Sequence, residues 1–359
     1  MRVIIIGAGA IGLMQARELA QKGVAVTLIE KGLCAREASW AGGGIVSPLY
    51  PWRYSAPVTA LASWSQSYYP NLVQSLEAES GIDPELSRHG LLMLSVDDPD
   101  DALAWAGEGG WIQSVDKQEL YRLEPELREG FNEALWMPQV ASIRNPRLAR
   151  ALRASITAEK RITLVEECAV HELMLDGDKV TGVATDKGEF EAEQVIVTAG
   201  AWTGGLLEGV GVHLPIEPVR GQMILFKARP GLVKRVVMRD GKYVIPRRDG
   251  RVLAGSTLEH VGFDKTTTEV AKNTLADLAI DMFPGLADAQ IEHHWAGLRP
   301  AAPMGIPFIG EVPEVAGLWV NAGHYRNGLV LAPASVRLLS ALLLNETVPV
   351  DPVPYQLAR

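Results

Sequence analysis

The sequence lacks the features of a disulfide-stabilised, nucleic-acid-binding or membrane-spanning protein. Its only two cysteines, Cys34 and Cys168, form no CxxC pair and no metal-ligand spacing. A disulfide framework is therefore excluded, no metal site is expected, and a reducing, cytoplasmic location fits. The net charge of −9, without a basic block, argues against nucleic acid as a partner. No apolar stretch approaches the roughly 20 residues of a membrane span.

The beginning of the chain predicts a strand, a helix and a second strand. Residues 2–6 are a continuous apolar run, residues 10–22 have a helical pattern that ends at Gly23, and residues 24–29 form another apolar run. We prefer this interpretation to a short signal peptide, because the first run leads through spaced glycines into an amphipathic helix. The segment is a complete βαβ unit.

Gly7, Gly9 and Gly12 form the GxGxxG spacing between the first strand and the first helix. Glu30 closes the second strand, 18 residues after Gly12. Glycines at these positions allow a pyrophosphate to approach the helix N-terminus, and an acidic residue there accepts hydrogen bonds from ribose hydroxyls. The context predicts dinucleotide binding and disfavours NADP, whose 2′-phosphate Glu30 would repel.

The fingerprint alone does not distinguish FAD from NAD. Two other glycine-rich loops favour FAD: "AGGG" at 41–44, soon after Glu30, and "GHYRNG" at 323–328, just before the last helix. A flavin ring needs contacts far from its adenosine, and the positive end of that helix would stabilise a reduced flavin anion.

The remaining chain predicts a mixed α/β fold in which the dinucleotide unit is discontinuous. The "RRDGR" segment signals a hairpin within an antiparallel region, and a strand is predicted at 90–96. The predicted helices are at 56–79, 117–128 with Pro125 inside, 146–158, 268–283 with Val270, Leu275, Leu278 and Met282 on one face, and 333–344 with Pro333 in its first turn. We expect a Rossmann-like cofactor domain from 1–87, 146–213 and 300–359, and a substrate domain with an antiparallel sheet and flanking helices from 88–145 and 214–299.

Six segments together resemble the D-amino acid oxidase family of FAD-dependent amine oxidoreductases, at its glycine oxidase branch and close to the sarcosine oxidases. They are "VIIIGAGAIG", "SWAGGG", "VIVTAGAWTGGL", "YVIPRRDGRVLAGST", "WAGLRP" and "GHYRNGLVLAP", and the match runs from Arg2 to about Leu344. The ordered pair "GLRP" and "GHYRNG" is much more specific than GxGxxG.

The resemblance implies non-covalent FAD and oxidation of a small amino acid, preferably glycine, by hydride transfer from Cα to flavin N5. Oxygen would then reoxidise the flavin to give hydrogen peroxide, and the product would supply thiazole synthesis for thiamine. The flavin-linking cysteine of sarcosine oxidases has no counterpart, because no cysteine follows Cys168. A homo-oligomer remains open.

The resemblance also assigns site residues. Arg299 and Tyr243 would hold the substrate carboxylate, Arg326 would lie beside flavin and substrate, and Leu258 would complete the substrate pocket. The expected cofactor residues are Gly7, Gly9, Ala10, Ile11, Gly12, Glu30, Lys31, Ala38, Ser39, Gly42, Gly43, Gly44, Val170, Ala199, Gly200, His324, Tyr325, Arg326, Asn327, Gly328, Leu329 and Val330.

Several alternatives stay open at this stage. The enzyme would otherwise be a D-amino acid or sarcosine oxidase, or a dehydrogenase that passes electrons to a quinone. A flavin- or NAD-binding module without catalysis is disfavoured, because such a module needs no arginine to bind a carboxylate. The loop "SPLYPWRYSAP" departs from the family pattern and places Tyr50, Trp52 and Arg53 near the expected pocket entrance, which leaves the substrate preference open.

Overall fold

The computed structural model describes residues 1–358, apart from the side chain of Glu108. That part contains nine α-helices and seventeen β-strands, and the strands form three sheets. The strands are β1 (Arg2–Ile6), β2 (Ala25–Ile29), β3 (Leu91–Met93), β4 (Gln113–Asp116), β5 (Glu133–Met137), β6 (Ile162–Val165), β7 (Val170–Asp176), β8 (Lys179–Thr185), β9 (Gly188–Glu191), β10 (Gln194–Val197), β11 (Glu217–Lys227), β12 (Val236–Arg239), β13 (Lys242–Pro246), β14 (Arg251–Gly255), β15 (Gln290–Ala301), β16 (Phe308–Glu311) and β17 (Leu318–Ala322). The helices are α1 (Ala10–Gln21), α2 (Ala38–Ala41), α3 (Ala56–Ser80), α4 (Pro99–Ala106), α5 (Lys117–Leu123), α6 (Asn145–Ala158), α7 (Thr203–Glu208), α8 (Glu269–Met282) and α9 (Gly328–Leu343).

The first sheet is the predicted dinucleotide unit. Its order is β16-β17-β10-β1-β2-β6, and all pairs are parallel except the edge pair β16–β17. The run Val3–Ile6 is buried because β1 lies at the centre of the sheet and is covered on both faces. Helices α1, α3 and α9 pack together on one face. The carboxyl ends of β1, β10 and β17 therefore meet at one edge, where α/β sheets bind ligands.

The second sheet has eight strands in the order β15-β11-β14-β13-β12-β3-β5-β4. Its pairs are antiparallel except for β12 with β3. The long strands β11 and β15 pair with Val219 opposite Arg299 and Gly221 opposite Gly297. A third, small sheet contains β7, β8 and β9. The predicted α/β class, with a parallel and a mainly antiparallel sheet, is confirmed.

Most predicted elements are present, and the predicted hairpin joins β13 to β14. The predicted domain boundaries stay a prediction. The strands of the parallel sheet lie in the segments predicted for the cofactor domain, and those of the antiparallel sheet lie in the segments predicted for the substrate domain, except that β15 continues past residue 299 to Ala301. The strand predicted at 90–96 is shorter, Leu91–Met93. On α8, Val270 does not belong to the apolar face, because it is 77% exposed while Leu275 and Met282 are buried.

The last helix begins at Gly328, so the prediction that Pro333 lies in its first turn was wrong. A proline inside a helix leaves the carbonyl four residues earlier without its usual donor. Here the carbonyl of Leu329 accepts a hydrogen bond from the Tyr69 hydroxyl, which lies on α3. This tertiary contact lets the helix extend back to the glycine-rich loop.

The helix predicted at 117–128 was also too long, since α5 ends at Leu123. Glu124 precedes Pro125 and has an extended backbone (φ −134°, ψ 79°), as the residue before a proline usually does. Its buried carboxylate accepts hydrogen bonds from the backbone N–H groups of Lys234 and Arg235, at 2.8 Å each. Burial raises the pKa of Glu124 to about 7.

Candidate active site

A cavity of about 560 Å³ is lined by residues from the two large sheets, and it contains nearly all predicted site residues. Every predicted cofactor residue except Gly12 lines it. Tyr243, Arg299 and Arg326 line it as well. The size is ordinary for a cofactor or substrate site. The fold therefore brings together the dinucleotide loop, the "AGGG" loop, the "GLRP" arginine and the "GHYRNG" loop.

The dinucleotide loop has the geometry that its glycines predict. Gly7 has φ +100°, and a Cβ there would lie 2.8 Å from the carbonyl oxygen of Thr198. A Cβ on Gly12 would lie 1.9 Å from the carbonyl oxygen of Gly7, so Gly12 lets α1 pack beneath the turn and does not line the cavity. At the N-terminus of α1 the Ala10 N–H donates to the Ser39 hydroxyl at 2.8 Å, and Gly9 supplies no side-chain cap, so the next N–H groups, of Ile11 and Gly12, remain for an anion. These features fit the pyrophosphate of FAD.

Glu30 also shapes this loop. Its Oε2 accepts a hydrogen bond from the Ala8 N–H at 2.8 Å, and its Oε1 accepts one from the Gly32 N–H at 3.0 Å. The carboxylate still lines the cavity, and its remaining lone pairs can accept ribose hydroxyls. Lys31 lies beside it, with Nζ 3.1 Å from the ring centroid of Trp202, and burial lowers the pKa of Lys31.

The "GHYRNG" loop forms the opposite end of the cavity. Gly323 has φ +86° and Tyr325 has φ +50°, and a short 3-10 turn, Tyr325–Asn327, leads directly into α9. The N-terminus of α9 has no side-chain cap, and the buried Nδ2 of Asn327 has no hydrogen-bond partner among the described residues. This end of the cavity thus presents donors and the positive end of a long helix, which fits the N1 edge of a flavin.

His324 has a structural position. Its Nε2 lies 3.1 Å from the Ser335 hydroxyl on α9, and the ring is buried. Burial lowers the pKa of His324 to about 3, so the imidazole is neutral at any physiological pH. A neutral ring already bonded to Ser335 does not provide a general base.

Arg299 is held in the cavity without a carboxylate partner among the described residues. Its Nη2 donates to the Ser256 hydroxyl at 2.7 Å, and its Nη1 donates to the carbonyls of Thr257 at 3.2 Å and Arg220 at 3.3 Å. Burial lowers the pKa of Arg299, and the nearby charge of Arg326 lowers it further against an opposing contribution from Tyr243. The guanidinium nevertheless stays charged, because an arginine side chain does not deprotonate in proteins.

Gly221 is a site residue that the sequence analysis missed. A Cβ on Gly221 would lie 2.2 to 2.4 Å from the guanidinium atoms of Arg299, so the arginine lies directly over this glycine. The available signal was a glycine within the apolar strand run "EPVRGQMILF", since such a glycine often marks a close approach. Ser256 was missed too, and no local pattern distinguishes it.

The "AGGG" loop contacts the substrate tyrosine. A Cβ on Gly43 would lie 3.1 Å from the Tyr243 hydroxyl and 3.0 Å from its ring. Gly44 has φ +82°, and a Cβ there would lie 2.0 Å from the carbonyl oxygen of Ile143. The loop is therefore glycine-rich because it packs between Tyr243 and the segment 143–145 that leads into α6. The Tyr243 hydroxyl faces the cavity without a hydrogen-bond partner among the described residues.

Leu258 does not line the main cavity, and its assignment to the substrate pocket stays a prediction. It is 47% exposed and lines a smaller cavity of about 360 Å³, next to the main one. Arg299, Arg326 and Ser256 line both cavities, so the two meet at the arginines. Leu258 follows the Ser256 turn beyond the end of β14, and this carries it past the main cavity.

The divergent aromatic loop lies beside the smaller cavity. Its Arg53 guanidinium is 4.3 Å from the Tyr50 ring centroid, and Arg53 Nε donates to Asp98 at 2.9 Å. Trp52 Nε1 donates to the same carboxylate at 2.8 Å. The Tyr50 hydroxyl lies against the backbone of Gly241, which lines the smaller cavity. The loop is thus fastened by Asp98 at the edge of the site.

Comparisons with known proteins show which family the chain belongs to. A family model described as "FAD dependent oxidoreductase" matches residues 2–342. The chain is 54% identical over 355 residues to a glycine oxidase of Pseudomonas aeruginosa, covering 99% of this chain and 98% of that protein. It is 32% identical to the bifunctional protein ThiO/ThiG of Synechocystis sp., covering 96% of this chain and 52% of that protein. The crystal structure of glycine oxidase from Geobacillus kaustophilus matches with a TM-score of 0.94 at 32% identity, covering 100% of this chain and 99% of that one.

Proposed function

The chain belongs to the FAD dependent oxidoreductase family, and from that premise we propose that it oxidises glycine with non-covalent FAD as its cofactor. The observation that carries the proposal is Arg299: a charged guanidinium that faces the cavity, has no acid partner among the described residues and lies close to Tyr243. A guanidinium in this position is complementary to the carboxylate of an amino acid.

Three residues near the proposed substrate position have separate roles in this reaction: Arg299, Tyr243 and Arg326. When bound, FAD accepts the two electrons that leave the amino acid. Arg299 anchors the substrate carboxylate, because Ser256 and two backbone carbonyls fix its guanidinium in one orientation. The Tyr243 hydroxyl donates a further hydrogen bond to that carboxylate. Arg326 contributes positive potential beside it from the loop.

The reaction needs no general base from the protein. Glu30 is engaged by two backbone N–H groups at the dinucleotide loop, Glu37 pairs with Lys265 at 2.9 Å, and His324 is neutral and bonded to Ser335. We therefore propose that the amine binds in its neutral form, after losing its proton to water. The protein then contributes orientation and exclusion of water.

The finer parts of the function follow from the same proposal. Molecular oxygen is the final acceptor and hydrogen peroxide a product, and the oxidised product serves thiazole synthesis for thiamine, as the resemblance to thiamine-pathway glycine oxidases implies. The two free, buried cysteines support a reducing, cytoplasmic location. No helix of residues 1–358 is long and apolar enough to cross a bilayer.

The direct test adds glycine, sarcosine or D-alanine to the purified yellow protein without oxygen. Glycine should bleach the flavin absorption, and admission of air should restore it with formation of hydrogen peroxide. Arg299→Ala protein with the same FAD content is the matched control and should bleach only at much higher glycine concentrations. A flavin that stays oxidised at millimolar glycine would overturn the proposal. Bleaching without peroxide in air would instead indicate a different electron acceptor.

A further inference from the structure

Arg247 is a buried arginine that makes no ion pair with any described residue. It directly follows β13, the strand that carries Tyr243, and it is 9% exposed. The two carboxylates whose charges act on it, Glu85 and Asp249, both pair with Arg144 instead, at 3.1 and 2.9 Å. Burial lowers the pKa of Arg247 to about 10, so the side chain stays charged at neutral pH. A buried charge without a paired acid is costly, and its other contacts must account for it.

The guanidinium of Arg247 donates to two backbone carbonyls. Its Nη2 donates to the carbonyl of Gly43 at 2.8 Å, and its Nη1 donates to the carbonyl of Ile143 at 3.1 Å. The carbonyl of Gly44 accepts a hydrogen bond from the Ile143 N–H, also at 2.8 Å. Both carbonyls of this glycine pair are therefore fixed, one by a side chain and one by the segment that precedes α6.

The N–H groups of the same two glycines have no acceptor among the described residues. Gly43 and Gly44 are buried, and both line the main cavity. The peptide bond between them is trans, so the Gly44 N–H points away from the Gly43 carbonyl and from the guanidinium that holds it. Buried backbone N–H groups in proteins are almost always paired. The missing acceptor must therefore come from the molecule that fills the cavity.

The glycine loop lies beside the reacting part of the site. A Cβ on Gly43 would lie 3.1 Å from the hydroxyl of Tyr243, the residue that binds the substrate carboxylate in the proposed reaction. Because the substrate must contact the flavin ring to pass its electrons on, the part of FAD nearest this loop is the ring. The carbonyl oxygens of that ring gain electron density on reduction, so a hydrogen bond donated to one of them favours the reduced form.

We propose that Arg247 is a positioning residue for the flavin: by holding the Gly43 carbonyl, it keeps the Gly44 N–H directed into the cavity as a donor to a carbonyl oxygen of the flavin ring. This inference rests on the proposed function. Arg247 does not line the main cavity and acts only through the peptide. Without its hydrogen bond the peptide can rotate, because glycine at both positions permits many backbone conformations. A rotated peptide would turn a carbonyl toward the ring in place of the N–H.

The midpoint potential of the bound flavin tests this role, because an arginine that only stabilises the fold would not change it. Arg247→Met removes the charge and all donors but keeps an unbranched side chain of similar length. We expect the binding of reduced FAD relative to oxidised FAD to weaken about 10-fold, the lower end for one hydrogen bond to a charged group. That factor lowers the two-electron potential by about 30 mV, measured by equilibration with a redox dye of known potential. For glycine, kcat should fall more than KM rises, since the contacts of Arg299 are unchanged.

Arg248→Met is the matched control, because Arg248 fastens the same hairpin to a different segment. Its Nη1 donates to Asp83 at 2.6 Å and its Nη2 to the Leu86 carbonyl at 2.9 Å, and it makes no hydrogen bond to the glycine loop. Arg248→Met should lower the unfolding temperature but leave the ratio of reduced to oxidised FAD binding within about 2-fold of native. Arg247→Lys keeps the charge and one donor group, and it should restore most of the lost potential.

The outcomes separate this role from the proposed function. An unchanged potential in FAD-loaded Arg247→Met would refute the role, and so would an equal drop in Arg247→Met and Arg248→Met, which would reflect a loosened hairpin. If Arg247→Met does not fold, Arg247→Gln is measured in its place, with the same expected drop and the same refuting results. Native protein that glycine bleaches, without a drop in the variant, refutes the positioning role alone. Native protein that glycine does not bleach, with a drop in the variant, refutes the proposed function alone.

Discussion

Replacing Gly221 by alanine tests whether the position of Arg299 determines substrate binding. The new methyl group would lie 2.2 to 2.4 Å from three guanidinium atoms, whereas an ordinary contact between non-bonded heavy atoms is about 3.5 Å. The guanidinium must therefore retreat by about 1 Å. Gly221 lies within β11 and has no positive φ, so alanine causes no backbone strain of its own.

The retreat disturbs all three hydrogen bonds that orient Arg299. The bond to Ser256 is 2.7 Å and lengthens beyond hydrogen-bonding range if the group moves away by about 1 Å. A displacement of that size in a positioning group costs about 100-fold in rate. We expect kcat/KM for glycine to fall by about that factor, mainly through KM. Overpacking should also lower the free energy of unfolding by about 1–3 kcal/mol.

The assay combines steady-state kinetics, FAD content and thermal unfolding for Gly221→Ala and for a matched control, Gly209→Ala. Gly209 has φ −59°, and a Cβ there would meet nothing closer than 3.6 Å, so the control should resemble the native enzyme. A double-mutant cycle with Arg299→Ala then isolates the contact. Once the guanidinium is gone, Gly221→Ala should cost little more. An unchanged KM in Gly221→Ala, or an equal loss in both backgrounds, would refute the reasoning.

Three further predictions follow from the described contacts. Arg299→Ala should raise KM for glycine by roughly 30-fold to several thousandfold. Arg326→Ala should change KM far less, and both variants should retain FAD. A KM for Arg299→Ala within about 2-fold of the native value would show that the carboxylate is bound elsewhere. Acid precipitation should release intact FAD and leave a colourless polypeptide, so flavin in the pellet would contradict non-covalent binding. Glu30→Ala should weaken FAD binding by about 10- to 150-fold in Kd, and an unchanged Kd would contradict the role of this carboxylate. Burial raises the pKa of Glu124 from 4.5 to about 7. Between pH 4.5 and 7 the folded state therefore holds a proton that the unfolded state has lost, and the stabilisation from this group falls as pH rises through that range. Glu124→Gln cannot titrate, and its unfolding free energy relative to the native chain should shift by at most about 3 kcal/mol across this window in urea titrations; parallel pH curves would disprove the assignment.

The structure also shows why some sequence expectations were wrong. Pro333 predicted a helix start, but the Tyr69 hydroxyl satisfies the carbonyl that the proline leaves free, and the helix begins at Gly328. A helix was predicted over 117–128, but α5 ends at Leu123, and the next residue, Glu124, accepts hydrogen bonds from the backbone N–H groups of a distant segment, Lys234 and Arg235. Both outcomes depend on contacts between residues that are distant in the chain, which no local pattern records.

The sequence by itself determined the βαβ unit, the dinucleotide loop and the acidic residue Glu30. These features depend on hydrophobic periodicity and on glycine at turns, which act over a few residues. Family resemblance added the expectation that Arg299 and Tyr243 act on the substrate.

Only the tertiary structure decided how that site is built. The register of β11 against β15 lays Arg299 over Gly221, and the turn after β14 brings Ser256 to its guanidinium. The same arrangement opens a second cavity beside Lys242. Strand register and cavity shape are set by side-chain packing among segments far apart in the chain, and the spacing of residues along one segment does not encode them.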